Sequence, residues 1–498
     1  MSEDKQTFRI DQRVQEILRE QLAPDPDEIG VAPGGRSGEP TVEDIRFDIT
    51  PIELINYLRD YIVGQDRAIE IVATKICTHF HRMRLEREHP ELPRIVGHVK
   101  SNMLLIGPTG VGKTYIIKLI AHKLRVPFVK GDATKFSETG YVGGDVEDLV
   151  RELAHQSGGN IKLAEYGIIY VDEIDKIASA GNWYGPDVSR SGVQRNLLKL
   201  LEETEVDMKV PHDLASQMEA VIETQRTGKV VRKKINTRNI LFVMSGAFNT
   251  LPEIIARRLK KGGMGFTGGE IPSPTDVLGL LEHLHAEDLM EYGFESEFIG
   301  RIPVMTYLDE LSEDALLSIL KNPNSAVIQS KRRDFAAYGI DLAFDEKALR
   351  LIAQEAYQRS IGARGLVGVV ERILLPFERS LPGCGLKQLL VTEEVFNEPE
   401  AILVELLPRA IIDNFVERFY RRCGIRLEFS SEARRFAGDQ SAVSGEPLEK
   451  YLSRTLKDYE FGLKLVGKPV FNITRNVLKD SKEYLDKLVK EAYKERQV

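Results

Sequence analysis

Cysteine is almost missing from this chain: of 498 residues only Cys77, Cys384 and Cys423 carry a thiol, and they lie far apart. No disulfide framework and no paired-cysteine zinc site can be built from that set, and such usage suits a reducing, cytoplasmic compartment. Also lacking is any apolar run long enough to span a bilayer. The opening Met1-Ser2-Glu3-Asp4-Lys5 has none of the charged-then-apolar pattern of a signal peptide. Positive charge is not in excess either. A net charge of −8 offers no footprint for a nucleic acid, and neither nucleic acid nor membrane is expected as a partner. What is left, 42% hydrophobic and 29% charged residues, is ordinary for a soluble globular protein. Its length allows a large core and about two to four domains.

Against that background one stretch stands out: Met103-Leu104-Leu105-Ile106-Gly107-Pro108-Thr109-Gly110-Val111-Gly112-Lys113-Thr114. Its leading apolar residues suit a strand buried in a parallel sheet. A glycine loop with the Gly107-xxxx-Gly112-Lys113-Thr114 spacing follows, and after Tyr115 the residues Ile116, Ile117, Leu119 and Ile120 continue as an apolar helix. The glycines let backbone N–H groups turn inward around a phosphate, and the positive end of the helix points at the same place. ATP is expected along Gly107, Pro108, Thr109, Gly110, Val111, Gly112, Lys113, Thr114 and Tyr115, with Lys113 at the outer phosphates and Thr114 holding Mg²⁺.

Upstream, residues 5–22 place Phe8, Val14, Ile17, Leu18 and Leu22 at helical spacing, and the proline- and glycine-rich stretch 24–43 reads as a flexible linker. Thr50-Pro51 carries a helix-start signature. Ile62 and Val63, just before Gly64, fit the wall of a pocket for a flat base and equally a place in the core.

Downstream, Val126-Pro127-Phe128-Val129-Lys130 reads as a second strand leading to Glu138-Thr139-Gly140-Tyr141-Val142-Gly143-Gly144-Asp145. Glycines flank Tyr141 and Val142, so this is a mobile loop whose apolar tip either meets something or folds back into the core. The third strand, Gly167 to Val171, ends in Asp172-Glu173. At the carboxyl end of a strand these acids come beside the phosphate loop of an open α/β sheet. Asp172 is expected to hold Mg²⁺, and Glu173 to align and polarise the attacking water. Ile240 to Met244 and the run containing Met305 and Tyr307 supply further strands, and Ser245 either caps its strand or touches the water or γ-phosphate. Spacing alone gives Arg301 and Arg364 no special rank.

Taken together, Tyr61-Ile62-Val63-Gly64-Gln65, the phosphate loop, Gly140-Tyr141-Val142-Gly143 and Ile169 to Lys176 resemble the ClpX-type protein unfoldases of the AAA+ superfamily. So do Asp187-Val188-Ser189 with Gly192-Val193-Gln194, Glu297-Phe298-Ile299-Gly300-Arg301-Ile302-Pro303 and Gly362-Ala363-Arg364-Gly365-Leu366, all in the family's order from about Thr50 to Val395. The resemblance implies a homo-hexameric ring with Mg²⁺ and ATP between subunits, hydrolysing ATP to pull unfolded protein through a central pore. It assigns Ile62 and Val63 to the adenine pocket, Arg301 to the arginine donated into the next subunit's site, and Arg364 to the sensor arginine of the small domain. Together with Lys113 and Glu173 these arginines form the expected catalytic set. Tyr141 and Val142 match the substrate-gripping pore loop.

Three departures accompany it. The family's four-cysteine N-terminal zinc domain is replaced by residues 1–45. The tripeptide that docks a ClpP-like peptidase, Ile or Leu then Gly-Phe in the family, stands here as Met264-Gly265-Phe266; methionine also fills an apolar pocket. The stretch Val206 to Asn239 is longer than usual, with Arg232-Lys233-Lys234 near the place of a basic pore motif.

Gly339-Ile340-Asp341-Leu342-Ala343-Phe344 resembles Gly424-Ile425-Arg426-Leu427-Glu428-Phe429, each after a basic-aromatic helix, and Gly445-Glu446-Pro447 falls where Gly362-Ala363-Arg364 stood. This suggests a degenerate second copy of the small domain. The last helix is expected over Asn476 to Arg496 as a solvated amphipathic helix.

The expected architecture is α/β. An N-terminal helix and linker at 1–48 precede a P-loop AAA+ core at 49–310 with a parallel sheet flanked by helices. A small helical domain at 311–398 and a C-terminal extension at 399–498 follow. The expected function is an ATP-dependent unfoldase serving a ClpP-like peptidase. The alternatives are a peptidase-independent remodeller, a nucleic-acid-associated motor and a nucleotide-switched scaffold.

Overall fold

The computed structural model describes residues 41–91, 93, 99–137, 144–178, 188–208, 233–262, 277–467 and 469–495. The helix pattern at 5–22, the loop tip Tyr141-Val142 and the tripeptide Met264-Gly265-Phe266 lie outside them. The chain divides into two units by its contacts. One runs to Asn322 and takes in Arg359–Gly365; the other comprises Pro323–Gln358 and Leu366–Val498.

The strands of the first unit are β1 (Met103–Ile106), β2 (Phe128–Asp132), β3 (Ile168–Asp172), β4 (Glu205–Asp207), β5 (Lys234–Asn236), β6 (Leu241–Gly246) and β7 (Val304–Tyr307). Five of them make one parallel sheet in the order β2-β3-β6-β1-β7. Its central strands do not alternate apolar with polar because helices cover both faces. Leu104, Ile106, Ile169, Val171, Phe242 and Met244 enter one core with the helices Asp148–Gln156, Val188–Leu201 and Leu251–Gly262. Leu105, Ile168 and Val243, one step out of phase, are equally buried. The helices Asp66–Glu88 and Lys113–Leu124 pack against β7 and β3 respectively. Strands β4 and β5 pair antiparallel at the two ends of the long Val206–Asn239 stretch, whose residues 209–232 lie outside the described ones. At Thr50-Pro51 the capping box forms: the Glu53 N–H donates to the Thr50 hydroxyl, and the Thr50 N–H donates to the Glu53 carboxylate.

Two strand pairs organise the second unit, β8 (Asp341–Phe344) parallel with β9 (Gln388–Val391), and β10 (Arg426–Phe429) parallel with β11 (Val470–Ile473). Around β8 and β9 the helices are Ala326–Ala336, Glu346–Gln358, Ala363–Ser380, Glu393–Asn397 and Pro399–Cys423. Around β10 and β11 they are the same Pro399–Cys423, then Ser431–Ser444, Leu448–Thr455 with Tyr459–Val466, Arg475–Lys479 and Ser481–Glu495. Burial recurs in step: Leu342 and Leu427, Phe344 and Phe429, Leu366 and Leu448, Phe377 and Tyr459, Val395 and Val477 are all core residues. A left-handed glycine, Gly339 or Gly424, precedes each first strand.

One expectation is corrected here. The last helix is not continuous from Asn476: Arg475–Lys479 stops at Asp480, whose φ of −127° is not helical, and Ser481–Glu495 starts afresh. The break is pinned by Ser481, whose carbonyl accepts from the Tyr459 hydroxyl and whose own hydroxyl donates to the Thr455 carbonyl. Asp and Ser side by side favour such caps over a helix interior.

Candidate nucleotide site

The loop between β1 and the helix Lys113–Leu124 takes the shape that its glycines allow. Gly112 is the helix N-cap with φ +103°, a region that side chains resist. Gly110, φ +81°, meets the segment Arg359–Gly365 so closely that an added Cβ would lie 2.2 Å from the Ile361 carbonyl oxygen. The Ala363 N–H donates to the Gly110 carbonyl at 2.9 Å, which seats the segment on the loop. Lys113 Nζ donates to the carbonyls of Gly107 (2.5 Å) and Pro108 (2.7 Å). Burial pushes this ammonium down to about 8, opposed by the charges of Asp172 and Asp175 and assisted by Arg364. The Tyr115 hydroxyl is raised by burial, with Tyr61 within electrostatic range.

Ile62 is buried in the core, whereas Val63 stays half-buried beside Gly64 at φ +74°. Gln65, also buried, exchanges hydrogen bonds with the backbone of Asp309 in both directions at 2.9 Å. That pairing anchors the Ile62–Gly64 turn to the end of β7.

Strand order explains how distant acids arrive at the loop. β6 lies between β1 and β3, so the carboxyl ends of all three sit side by side, with Leu105 opposite Ser245 and Val171 opposite Met244. A directed chain of hydroxyls spans the gap. Thr114 Oγ1 donates to Tyr170 OH (3.1 Å), Tyr170 OH pairs with Ser245 Oγ (2.5 Å), and Ser245 Oγ donates to Asp172 Oδ1 (2.7 Å). The Glu173 N–H donates to the same oxygen at 3.1 Å. Lys130 Nζ pairs with Asp172 Oδ2 at 2.8 Å. Burial alone would raise the Asp172 carboxyl, but Lys130, Ser245 and the Glu173 N–H outweigh it and hold it below the usual value. An ionised carboxylate and a threonine hydroxyl linked by one hydrogen-bond chain form an all-oxygen donor set, which suits a hard cation such as Mg²⁺.

Glu173 follows with φ +56° and an exposed side chain. A non-glycine residue in the left-handed region is uncommon, and strain of this kind clusters where a side chain must be aimed.

The two arginines part company. Arg364 sits on the segment seated at Gly110, and its charge acts on both Lys113 and Tyr170. Arg301 is remote from that loop. Its carbonyl accepts from Asn102 Nδ2 at 2.9 Å and its Nη2 pairs with Glu202 Oε1 at 2.6 Å. Asn102 precedes β1 and Gly107 follows it, so the sheet separates Arg301 from its own loop by roughly 16 Å of strand.

Sequence reasoning assigned nothing to Lys130, Tyr170, Gln65 or Glu202. Lys130 lies directly opposite Tyr170 in the sheet register. The Ser245 hydroxyl, left open between cap and site, pairs with Asp172.

Comparison with known proteins completes the description. An AAA domain (Cdc48 subfamily) model matches residues 98–305, and the model of the C-terminal D2-small domain of ClpB protein matches 311–377. The ATP-dependent Clp protease ATP-binding subunit ClpX of Treponema denticola is 37% identical over 351 residues, 70% of this chain and 81% of that protein. Proteins of the same name from Borrelia duttonii and Borrelia recurrentis are each 36% identical over 348 residues, 69% of this chain and 78% of theirs.

Proposed function

Because the chain belongs to the ClpX family of AAA ATPases, and is therefore an ATP-dependent ATPase of Clp type, we propose that it works as a homo-hexameric unfoldase. ATP binds between neighbouring subunits, and its hydrolysis draws an unfolded polypeptide through the central pore. The observation that carries this reading is the separation of the two arginines. Arg364 lies on the segment resting on its own phosphate loop, whereas Arg301 sits at the amino-terminal end of β1, a strand length from that loop, which supports a role at a neighbouring subunit's nucleotide. A site that needs both is complete only in an assembly.

Within each site, Lys113 leaves the Gly107 and Pro108 carbonyls to meet the outer phosphates, and the loop N–H groups with Val63 and Tyr115 hold the rest of the nucleotide. Thr114 and Asp172 would hold Mg²⁺, which when bound neutralises phosphate charge. Glu173 orients the attacking water and takes its proton, and Arg301 from the neighbour stabilises charge on the transferring phosphoryl group. Tyr141 and Val142 grip substrate by apolar contact, which tolerates any sequence. Residues 399–498 are a degenerate copy of the small domain. Pro447 falls at the place of the sensor arginine, and Glu446 before it pairs with Arg454 at 3.0 Å.

Met264-Gly265-Phe266 is the segment for a ClpP-like peptidase. The methionine in that tripeptide favours a second reading, a remodeller that acts without a peptidase. One experiment addresses both readings: unfolding of a tagged fluorescent protein by the purified chain with ATP, with and without a ClpP-type peptidase. Loss of fluorescence that needs Tyr141 is expected. Rapid ATP turnover with fluorescence intact would overturn the threading mechanism.

A further inference from the structure

Lys130 has no place in the roles given above, yet it makes the shortest ionic contact to the acid that those roles assign to the metal. Its ammonium lies 2.8 Å from Asp172 Oδ2 and 5.9 Å from the centre of the Tyr170 ring. The other carboxylate oxygen is already taken, by Ser245 Oγ and the Glu173 N–H. A metal approaching Asp172 must therefore use the Oδ2 face, where a positive charge already stands. The lysine side chain is 42% exposed, against 18% for the aspartate. It can swing into solvent, whereas the carboxylate is held in place by the hydroxyl chain from Thr114.

We propose that Lys130 is a positioning residue that occupies the Oδ2 face of Asp172 before the metal arrives, and that it competes with Mg²⁺ for this carboxylate. It thereby sets the Mg²⁺ concentration that tight nucleotide binding requires. A half-exposed ion pair is weak, so a divalent ion arriving with a nucleotide displaces it. The same repulsion makes the metal bind less tightly than Asp172 alone would hold it. The proposal rests on Asp172 being the metal carboxylate.

The test uses the full-length chain and a fluorescent ATP analogue at fixed concentration. Binding is followed by anisotropy in EDTA and during a Mg²⁺ titration, and thermal melting reports the fold. Lys130→Met and Lys130→Gln should bind the analogue in EDTA as the native chain does, yet reach half-saturation at a Mg²⁺ concentration lower by on the order of fivefold. Lys130→Arg, which keeps the charge, should behave as the native chain. An unchanged or increased Mg²⁺ requirement in the neutral variants overturns the proposal. So does loss of cooperative melting in both, because a competitor for the metal must be dispensable to the fold. Asp172→Asn separates the two claims. If it leaves the Mg²⁺ dependence untouched, the metal assignment fails. If it shifts that dependence while Lys130→Met does not, Lys130 alone is wrongly placed.

Discussion

Glu173 occupies left-handed backbone at φ +56°, a conformation that costs a non-glycine residue about 1–2 kcal/mol. Glu173→Gln keeps the shape and removes the base. ATP should still bind, while phosphate release falls by roughly 10²–10⁴, measured as turnover beside analogue binding. Lys113 brings a pH dependence. Buried in the nucleotide-free protein, its ammonium releases its proton near pH 8, and only the charged form attracts phosphate. ATP affinity should be full below that pH and fall as pH rises through it, with proton uptake on binding detectable by calorimetry in buffers of different ionisation heat. The unfolded chain, whose lysine keeps its ordinary value, binds more protons above pH 8. The nucleotide-free fold therefore gains stability from this group as pH climbs from about 8 toward 10.

Among the elements, the segment Arg359–Gly365 is the one whose placement decides most. Gly362, φ +60°, has room for no side chain: a Cβ there would lie 2.8 Å from the Gly110 carbonyl carbon. Gly362→Ala should lift the segment from the phosphate loop and weaken ATP binding about tenfold, as Arg364→Ala should by losing a charge-assisted contact; equilibrium binding of the analogue checks both. A second tie holds the amino-terminal end of the sheet. Lys100 Nζ donates to the carbonyls of Leu200 (3.0 Å), Glu202 (3.0 Å) and Thr237 (2.8 Å), joining the end of the helix Val188–Leu201 to the start of β1 beside the Glu202–Arg301 pair. Lys100→Met would strand three carbonyls and is expected to cost about 2–4 kcal/mol, read as a lower denaturation midpoint.

For the whole molecule, the opposite placements of Arg301 and Glu173 give a complementation test. Chains carrying only Arg301→Ala or only Glu173→Gln should each be nearly inactive, with the arginine worth about 10³ in rate. Mixed together, they should recover measurable turnover, because an Arg301→Ala subunit keeps a working Glu173 and its Glu173→Gln neighbour supplies the arginine. No recovery would mean that Arg301 acts within its own chain.

The phosphate loop, the strand runs and the Asp172-Glu173 pair were legible in the sequence because each depends on local chemistry: glycine where φ must be positive, unbroken apolar runs where a strand is covered on both faces, acids where a strand ends. The break at Asp480 was missed because it depends on Tyr459 and Thr455, which reach Ser481 only after the chain has folded back. Tertiary structure alone decided that β6 runs between β1 and β3, and so that Ser245 and Tyr170 join Thr114 to Asp172. It alone placed Lys130 on the same carboxylate and put Arg301 at the amino-terminal end of the sheet, a strand length from its own loop. Those facts follow from strand order and register, which bring residues from distant parts of the chain within hydrogen-bond reach, and no spacing along the sequence encodes them.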